Sequence, residues 1–374
     1  MSTAANPTTD PTTGKPPRPR RWIPLALKIF ATVLLLLGFV GGPWVGVRHR
    51  RMSAMLDEVK RAGGRCDVRP GGPAWLRNWL GDGWMLAFDE ITAVNLGSTK
   101  TNDDQLASLP RFRSLQRLEL RETQITNAGL TSLNGLPNLQ FLGLEVTQIT
   151  DDGLANLKDF PKLEYLQLSG NKITDAGLVH LKDLTGLKRL NLFGTRITDD
   201  GLIHLSGLTG LKYLRLGGNK IGDEGIVHLK NLTSLQELAL EATKISDSAL
   251  IQVKELPDLV WLDLSHTQVT DAGLEHLAGL VNLEYLDLGR TKVTNAGMAH
   301  LKNLKSLTLL GLYNTQVDDA GLEHLRGLKN LTSLRLHDDQ ITDAGLIHLR
   351  SLTALEDVNL GGPQISDAGV AELR

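Results

Sequence analysis

Three sets of side chains in this 374-residue chain have the types and spacing that chemistry needs. Asp263 and Asp287 are carboxylates 24 residues apart; side by side they form the pairing that glycoside hydrolysis or a divalent cation uses. His180, His204, His228, His276, His300, His324 and His348 recur at that spacing or its double, and repeated imidazoles can ligate zinc. Cys66 is the single cysteine, which excludes an internal disulfide framework and any Cys-rich zinc module. Each set lacks a second requirement. Nothing in the sequence supplies the aspartates with a proton partner or a substrate pocket, so a solvated acidic patch is the plainer reading. The histidines fall about 100° around a helix from its apolar stripe. Neighbouring helical layers stand roughly 8–10 Å apart, too far for two rings to share a metal at about 2 Å. They read as half-buried spacers. No H-E-x-x-H, G-x-S-x-G, P-loop or dinucleotide glycine signature occurs. The expectation is a non-enzyme with no catalytic residue, metal or cofactor.

The spacing itself is the stronger signal. From Val94 through Leu118, Leu142 and onward to Leu334 and Val358, one unit repeats every 24 residues without insertion or deletion. Two residues after each start stands Leu, from Leu96 to Leu360. The unit begins with period-2 alternation, a short strand. It continues with apolar residues every third position, such as Leu178, Leu181, Leu184 and Leu187, a short helix running into a turn. Thr126, Thr150, Thr174, Thr198 and Ser246 sit where that helix starts, as N-caps do. An Asp or Asn follows in every copy (Asp151, Asp175, Asp271), which suits the positive end of a helix dipole. Basic residues such as Lys158, Lys230 and Arg326 gather toward the helix end. A repeating Gly (Gly129, Gly153, Gly177) allows close approach between segments, and Pro137, Pro161 and Pro257 mark where the helix stops.

One strand and one short helix cannot bury an apolar face alone, so the copies must stack. The pattern L-x-L-x-x-T-x-I-T-D-A-G-L-x-H-L-x-x-L-x-x-L resembles a leucine-rich repeat. It is close to the cysteine-containing subclass, with Thr123, Thr147 or Thr195 where that subclass has Cys. The resemblance covers about three quarters of the chain. It implies an α/β solenoid, a right-handed horseshoe with a parallel concave sheet and convex helices, made of twelve 24-residue repeats over residues 94–374. It also implies that the residue five after each start points inward and bonds the neighbouring turn, as in the family's Asn/Cys ladder. Thr holds that place in eight copies and Asn171 and Asn219 in two, while Asp339 and Pro363 depart from it.

The N-terminal quarter has a different character. Residues 1–21 are rich in Pro and Thr and too poor in large apolar groups to fold. Residues 22–47 form an apolar run flanked by Trp22 and Trp44 and by basic clusters on both sides. Its most helix-compatible part, roughly 18 residues, spans about 27 Å and reads as a transmembrane helix. A cleaved signal peptide would need a shorter n-region and an A-x-A site. The short basic tail favours an N-terminus in the cytoplasm and repeats outside it, at an inner membrane. Residues 48–93 read as an adapter. Arg48–Ala62 is an amphipathic helix with Met52, Met55, Leu56 and Val59 on one side, stopped by Gly63-Gly64. Cys66 to Val68 is a short strand. Trp75, Leu76, Trp79, Leu80, Trp84 and Phe88 form an apolar lid over the first repeat. With the Gly81-Asp82-Gly83 stretch, this region resembles membrane-anchored bacterial leucine-rich-repeat proteins of unassigned function.

Binding residues are sought on the strands, where alternate positions face out. The position before each start reads Arg117, Phe141, Tyr165, Arg189, Tyr213, Glu237, Trp261, Tyr285, Leu309. In register these lie about 5 Å apart in one stripe. Aromatic and Arg enrichment is what interface hot spots show; the bland alternative is that aromatics favour strands and pack on each other. The candidate ligand-binding residues are Phe141, Tyr165, Arg189, Tyr213, Arg215, Glu237, Trp261, Asp263, Tyr285 and Asp287, in a region that also holds Glu241, His266 and Arg290. A net charge of -2 and mixed signs exclude general nucleic-acid binding. The expected partner is a protein or a glycan, with self-association at the uncapped C-terminal end as a further contact. The alternatives are an envelope spacer without a ligand, and a cytoplasmic adaptor resembling F-box leucine-rich proteins, for which no second module is present.

Overall fold

The computed structural model describes residues 42–337, 340–361 and 364–371. The Pro/Thr tail, residues 22–41 of the apolar run, Asp339, Pro363 and the last three residues lie outside the described residues. Among those described, no helix is long and apolar enough to cross a membrane. The chain divides into two compact units.

The smaller unit takes residues up to Ala54 together with Gly71–Phe88. It contains the beginning of a helix that spans Gly42–Arg61. The adapter helix thus starts six residues earlier than expected and carries residues 42–47 of the apolar run in its first turns. Two short helices, Ala74–Leu80 and Asp82–Met85, complete the unit. Met85 and Ala87 are fully buried. Trp75, Trp79 and Trp84 are not: they are 64%, 72% and 70% exposed. An apolar lid would bury them, so that expectation is corrected.

The larger unit takes Met55–Pro70 and everything from Asp89 onward. Its first strand, β1 (Arg65–Arg69), runs antiparallel to β2 (Glu90–Asn95), with a register shift between Asp67 and Val68. This strand covers the edge of the first repeat with backbone hydrogen bonds, the role the sequence reading gave to tryptophans. Gly63, with φ +86, ends the preceding helix in the left-handed region. A Cβ on Gly64 would lie 2.5 Å from the carbonyl of Asn95, so only glycine fits there.

After β2 come three-residue parallel strands, from Arg117–Glu119 to Asp357–Asn359, in one sheet ordered as in the chain. Each pairs with its neighbour 24 residues on, as in Trp261 with Tyr285 and Leu262 with Leu286. The rest of each repeat is a short α-helix that often tightens to 3-10, as when Asp151–Leu154 passes into Ala155–Asp159. Apolar residues at period three stack on one side of a 3-10 turn, which is why that period buries them. Leu118, Leu120, Ile125, Leu130, Leu133, Leu136 and Leu139 of one repeat are all inaccessible to solvent. Each such side chain contributes about 1.5–3 kcal/mol relative to exposure.

Two polar ladders join the repeats. The expected one is only partly present. Thr123, Thr243, Thr267 and Thr291 donate their hydroxyls to the leucine carbonyl three residues back in their own repeat. Asn171 and Asn219 reach back to the preceding repeat's backbone: Asn171 Nδ2 donates to Leu144 O (2.7 Å) and Leu168 O (3.0 Å), Asn219 repeats the arrangement, and their Oδ1 atoms accept from the Thr147 and Thr195 hydroxyls at 3.0 and 2.9 Å. A threonine side chain is one bond too short to do this.

The second ladder runs the full length. The Asp or Asn after each N-cap accepts from the N-cap amide of the next repeat, as Asp247 Oδ1 does from Thr270 N at 2.7 Å. The other carboxylate oxygen accepts from the Thr270 hydroxyl, also at 2.7 Å. The amide bond recurs at every junction from Asp103–Thr126 to Asp343–Ser366; Gly222 supplies only its amide, and at the two Asn links the side-chain bond is reversed, Asn127 Nδ2 donating to Thr150 Oγ1 and Asn295 Nδ2 to Asp318 Oδ1. These acids were read as helix-dipole partners; they are also the links between layers. A Cβ on Gly273 would lie 2.5 Å from Asp247 Oδ1, so the repeating glycine makes room for the carboxylate.

Candidate functional site

The face-bearing residues stand in register. Arg117, Phe141, Tyr165, Arg189, Tyr213, Glu237, Trp261, Tyr285 and Leu309 form one column, and Arg215, Asp263 and Asp287 belong to a second two residues further on. The turn that follows each strand needs a left-handed residue. Gly170, Gly194 and Gly218 provide it in three copies. Val146, Ala242, His266 and Arg290 are held at φ 51 to 57 in others. That turn carries a third column containing Phe193, Glu241, Tyr313 and His337 beside the strands.

The rings and guanidinium groups stack on one another. The Arg117 guanidinium carbon lies 3.4 Å from the centre of the Phe141 ring, and Phe141 is 6.4 Å from Tyr165. Arg189 sits between Tyr213 (3.8 Å) and Tyr165 (5.7 Å). A cavity of about 500 Å³ opens beside this half, lined by Arg117, Gln140, Phe141, Tyr165, Gln167 and Arg189 among others. Arg189 Nε is buried with no hydrogen-bond partner among the described residues.

Farther along, Trp261 and Tyr285 stack with centres 4.4 Å apart and planes at 17°. Arg215 approaches Trp261 at 5.7 Å and bonds Glu237 at 2.6 Å. Tyr313, which the sequence places on the concave side with the other tyrosines, stacks on His337 at 4.8 Å, a partner the sequence does not single out. Asp287 is the exception among the candidates. It is 2% exposed, and its carboxylate accepts from Gly289 N, Tyr285 OH and Arg335 Nη1 (2.9, 3.3 and 3.2 Å). It organises the face from beneath. A divalent cation or a general-acid role would need a carboxylate with free oxygens, which Asp287 does not offer. Arg335, its partner, was missed because it lies two strands away.

Several acids here resist ionisation. Burial pushes the Glu241 carboxyl up to about 7, Asp263 and Glu237 add to the rise, and Arg215 opposes it. Glu241 Oε2 is buried without a hydrogen-bond partner among the described residues. The side chain folds over Gly217, where any Cβ would collide with its carboxylate. Asp263 is raised too, by burial first and by Asp287, against two bonds from Ser265. Tyr285 and Tyr313 are raised for the same first reason and stay neutral. The histidine ladder is mostly half-buried, as expected. Among the described residues, no three potential ligands come together around a metal-sized site.

Fold and face define a class: a solenoid of short strands and helices whose one solvent-facing sheet surface varies from repeat to repeat. Leucine-rich-repeat family models match residues 161–221, and residues 113–133 and 257–278. Among solved structures, an internalin (inlF) of Listeria monocytogenes is similar at 25% identity and a TM-score of 0.52, over 72% of this chain and 87% of that one. Internalin C2 of the same organism is 31% identical over 55% of this chain and 83% of its own, with a TM-score of 0.45. No curated protein matches the chain. The chain is a leucine-rich-repeat protein.

Proposed function

We propose that this protein is a membrane-anchored, non-enzymatic scaffold that binds a protein partner across the sheet face. Leucine-rich-repeat folds commonly mediate protein–protein binding. The observation that carries the reading is the in-register stack of Arg117, Phe141, Tyr165, Arg189 and Tyr213, continued by Trp261 and Tyr285. Arginine and large aromatics in rigid array are the residues on which binding energy concentrates. Arg189 Nε and Glu241 Oε2 add a donor and an acceptor still to be satisfied. Asp287, whose carboxylate is already bonded to Gly289 N, Tyr285 OH and Arg335, is not free to serve as a general acid or a metal ligand.

Protein is favoured over glycan by which parts of the rings are free. A sugar stacks on an open aromatic face. Here Trp261 gives one face to Tyr285 and receives Arg215 at the other, and Phe141 and Tyr213 are covered by guanidinium groups. Beside these partly covered rings lie tyrosine hydroxyls and charges of both signs, suited to polypeptide side chains and backbone. The apolar run 22–47 would hold the scaffold to an inner membrane with the repeats outside the cytoplasm. Crosslinking of whole cells expressing the full chain, followed by capture, should yield a partner that the double variant Trp261→Ala, Tyr285→Ala loses while its thermal midpoint stays close to wild type. Equal capture by that variant would leave the spacer reading standing. Protease accessibility of the repeats in intact spheroplasts tests the side of the membrane.

A further inference from the structure

We propose that Trp75, Trp79 and Trp84 form an interfacial anchor seated in the headgroup layer of a lipid bilayer; the inference rests on the membrane attachment proposed above. All three are more exposed than any other large apolar side chain among the described residues, at 64%, 72% and 70%. Trp75 and Trp79 are four apart on the helix Ala74–Leu80 and therefore share one side of it. Trp84 follows on the helix Asp82–Met85, tied back by Arg77 Nη1 to Asp82 Oδ1 at 2.9 Å. The unit has its own buried groups in Met85 and Ala87, so these indoles are spare to its interior. Three exposed tryptophans within ten residues are costly in water. An indole with an apolar body and one N–H is at home where hydrocarbon meets headgroups.

The occupant follows from where the segment sits within its unit. Gly83 O accepts from His49 Nε2 at 3.0 Å, and Phe88 packs edge-on to Trp44 at 6.4 Å. His49 lies two residues beyond the end of the apolar run at Val47, about 3 Å further along the helix axis. The loop that carries Trp84 is thereby held at the level where that run leaves hydrocarbon. Trp44 is itself 52% exposed, and Arg50 and Arg51 on the same helix are exposed, a charge suited to anionic headgroups. A protein-docking face would have no reason to coincide with that level.

The test uses the full chain reconstituted in vesicles of phosphatidylcholine and phosphatidylglycerol. Trp22, Trp44 and Trp261 are replaced by Phe, so that emission reports Trp75, Trp79 and Trp84 alone. The expected result is a blue-shifted emission, strong loss of intensity when lipid labelled with a shallow doxyl quencher is included, and protection from aqueous iodide. Water-like emission, quenched by iodide and indifferent to the doxyl lipid in a chain that floats with the vesicles, overturns the inference and leaves the attachment intact. A chain that does not float overturns both. Unchanged emission from a companion with Trp75, Trp79 and Trp84 also replaced by Phe would expose a background signal and count against it.

Discussion

At one junction the inter-layer ladder makes a choice that electrostatics dictates, and reversing it gives a sharp test. At the other junctions the N-cap is Thr, Ser or Gly, and all but one of the links facing them are aspartates. Asp318 is the one carboxylate N-cap among the junctions, and the residue facing it is Asn295. Asn295 Oδ1 accepts from Asp318 N at 2.9 Å, and its Nδ2 donates to Asp318 Oδ1 at 2.7 Å. Asn295→Asp keeps the first bond and turns the second into two like charges in contact. At 2.7 Å and an effective dielectric of about 20, the repulsion is about 6 kcal/mol before relaxation. The pair is only part-buried, so rotation into water should reduce this to roughly 2–4 kcal/mol, including the lost charge-assisted hydrogen bond.

Urea unfolding of the full chain in detergent, followed by circular dichroism, should show Asn295→Asp as more damaging than Asn295→Ala. The deletion loses two hydrogen bonds, about 1–2 kcal/mol, and brings no repulsion. Adding Asp318→Thr to Asn295→Asp rebuilds the pair seen at Asp271 and Thr294, with contacts of 2.7 and 2.6 Å, and should recover most of the loss. Lowering the pH toward 4 should shrink the Asn295→Asp penalty, because one shared proton restores a donor between the carboxyls. A double-mutant cycle with coupling near zero, or an Asn295→Asp variant no worse than Asn295→Ala, would refute the reasoning.

Two other substitutions probe the face. Val146 is β-branched yet held at φ 51, so Val146→Gly should raise the thermal midpoint by an amount equivalent to about 0.5–1 kcal/mol, the relief of left-handed strain less the added chain entropy; a lower midpoint would argue against strain there. Glu241 has its folded pKa raised from 4.5 to about 7, so folding takes up a proton between those values and its contribution is lost as pH rises through 7. Glu241→Gln should therefore flatten the fall in stability between about pH 5 and 8 and help most at the alkaline end, as read from thermal midpoints across that range. A parallel curve would place the charge cost elsewhere.

The lattice was legible because it repeats. Leu118 and Leu120 read as strand, the period-three leucines as a tight helix, and the stripe from Arg117 to Leu309 as one in-register column, all from spacing. Pairwise chemistry between repeats was not. Nothing local in Asp247 says whether it serves its own helix or the Thr270 amide 23 residues on. The left-handed turn was hidden because only Gly170, Gly194 and Gly218 announce it, while Val146 and His266 adopt it under constraint. The adapter misled for a different reason. Tryptophans near an open repeat end look like a lid; the strand expected at Cys66 to Val68 is present as β1, but nothing in its composition says that it pairs antiparallel with β2 and so covers that edge.

The division of labour between lattice and face explains how one sheet surface can be specialised without endangering the stack. Leucines, the Asp ladder and the glycine beside it fix each layer to the next, and none of these residues points out from the sheet. The face columns then differ at almost every level: Arg117, Phe141, Tyr165, Arg189, Glu237. Their contacts with each other are stacked or part-exposed, of the kind worth fractions of a kcal/mol to about one. Asp287 is where the separation fails. Its carboxylate bonds the Gly289 amide beneath the face and Arg335 upon it, and a Cβ on Gly311 would lie 2.5 Å from its Oδ1. A change at Trp261 should read out as binding alone. A change at Asp287 removes a buried acceptor and should read out as stability and binding together.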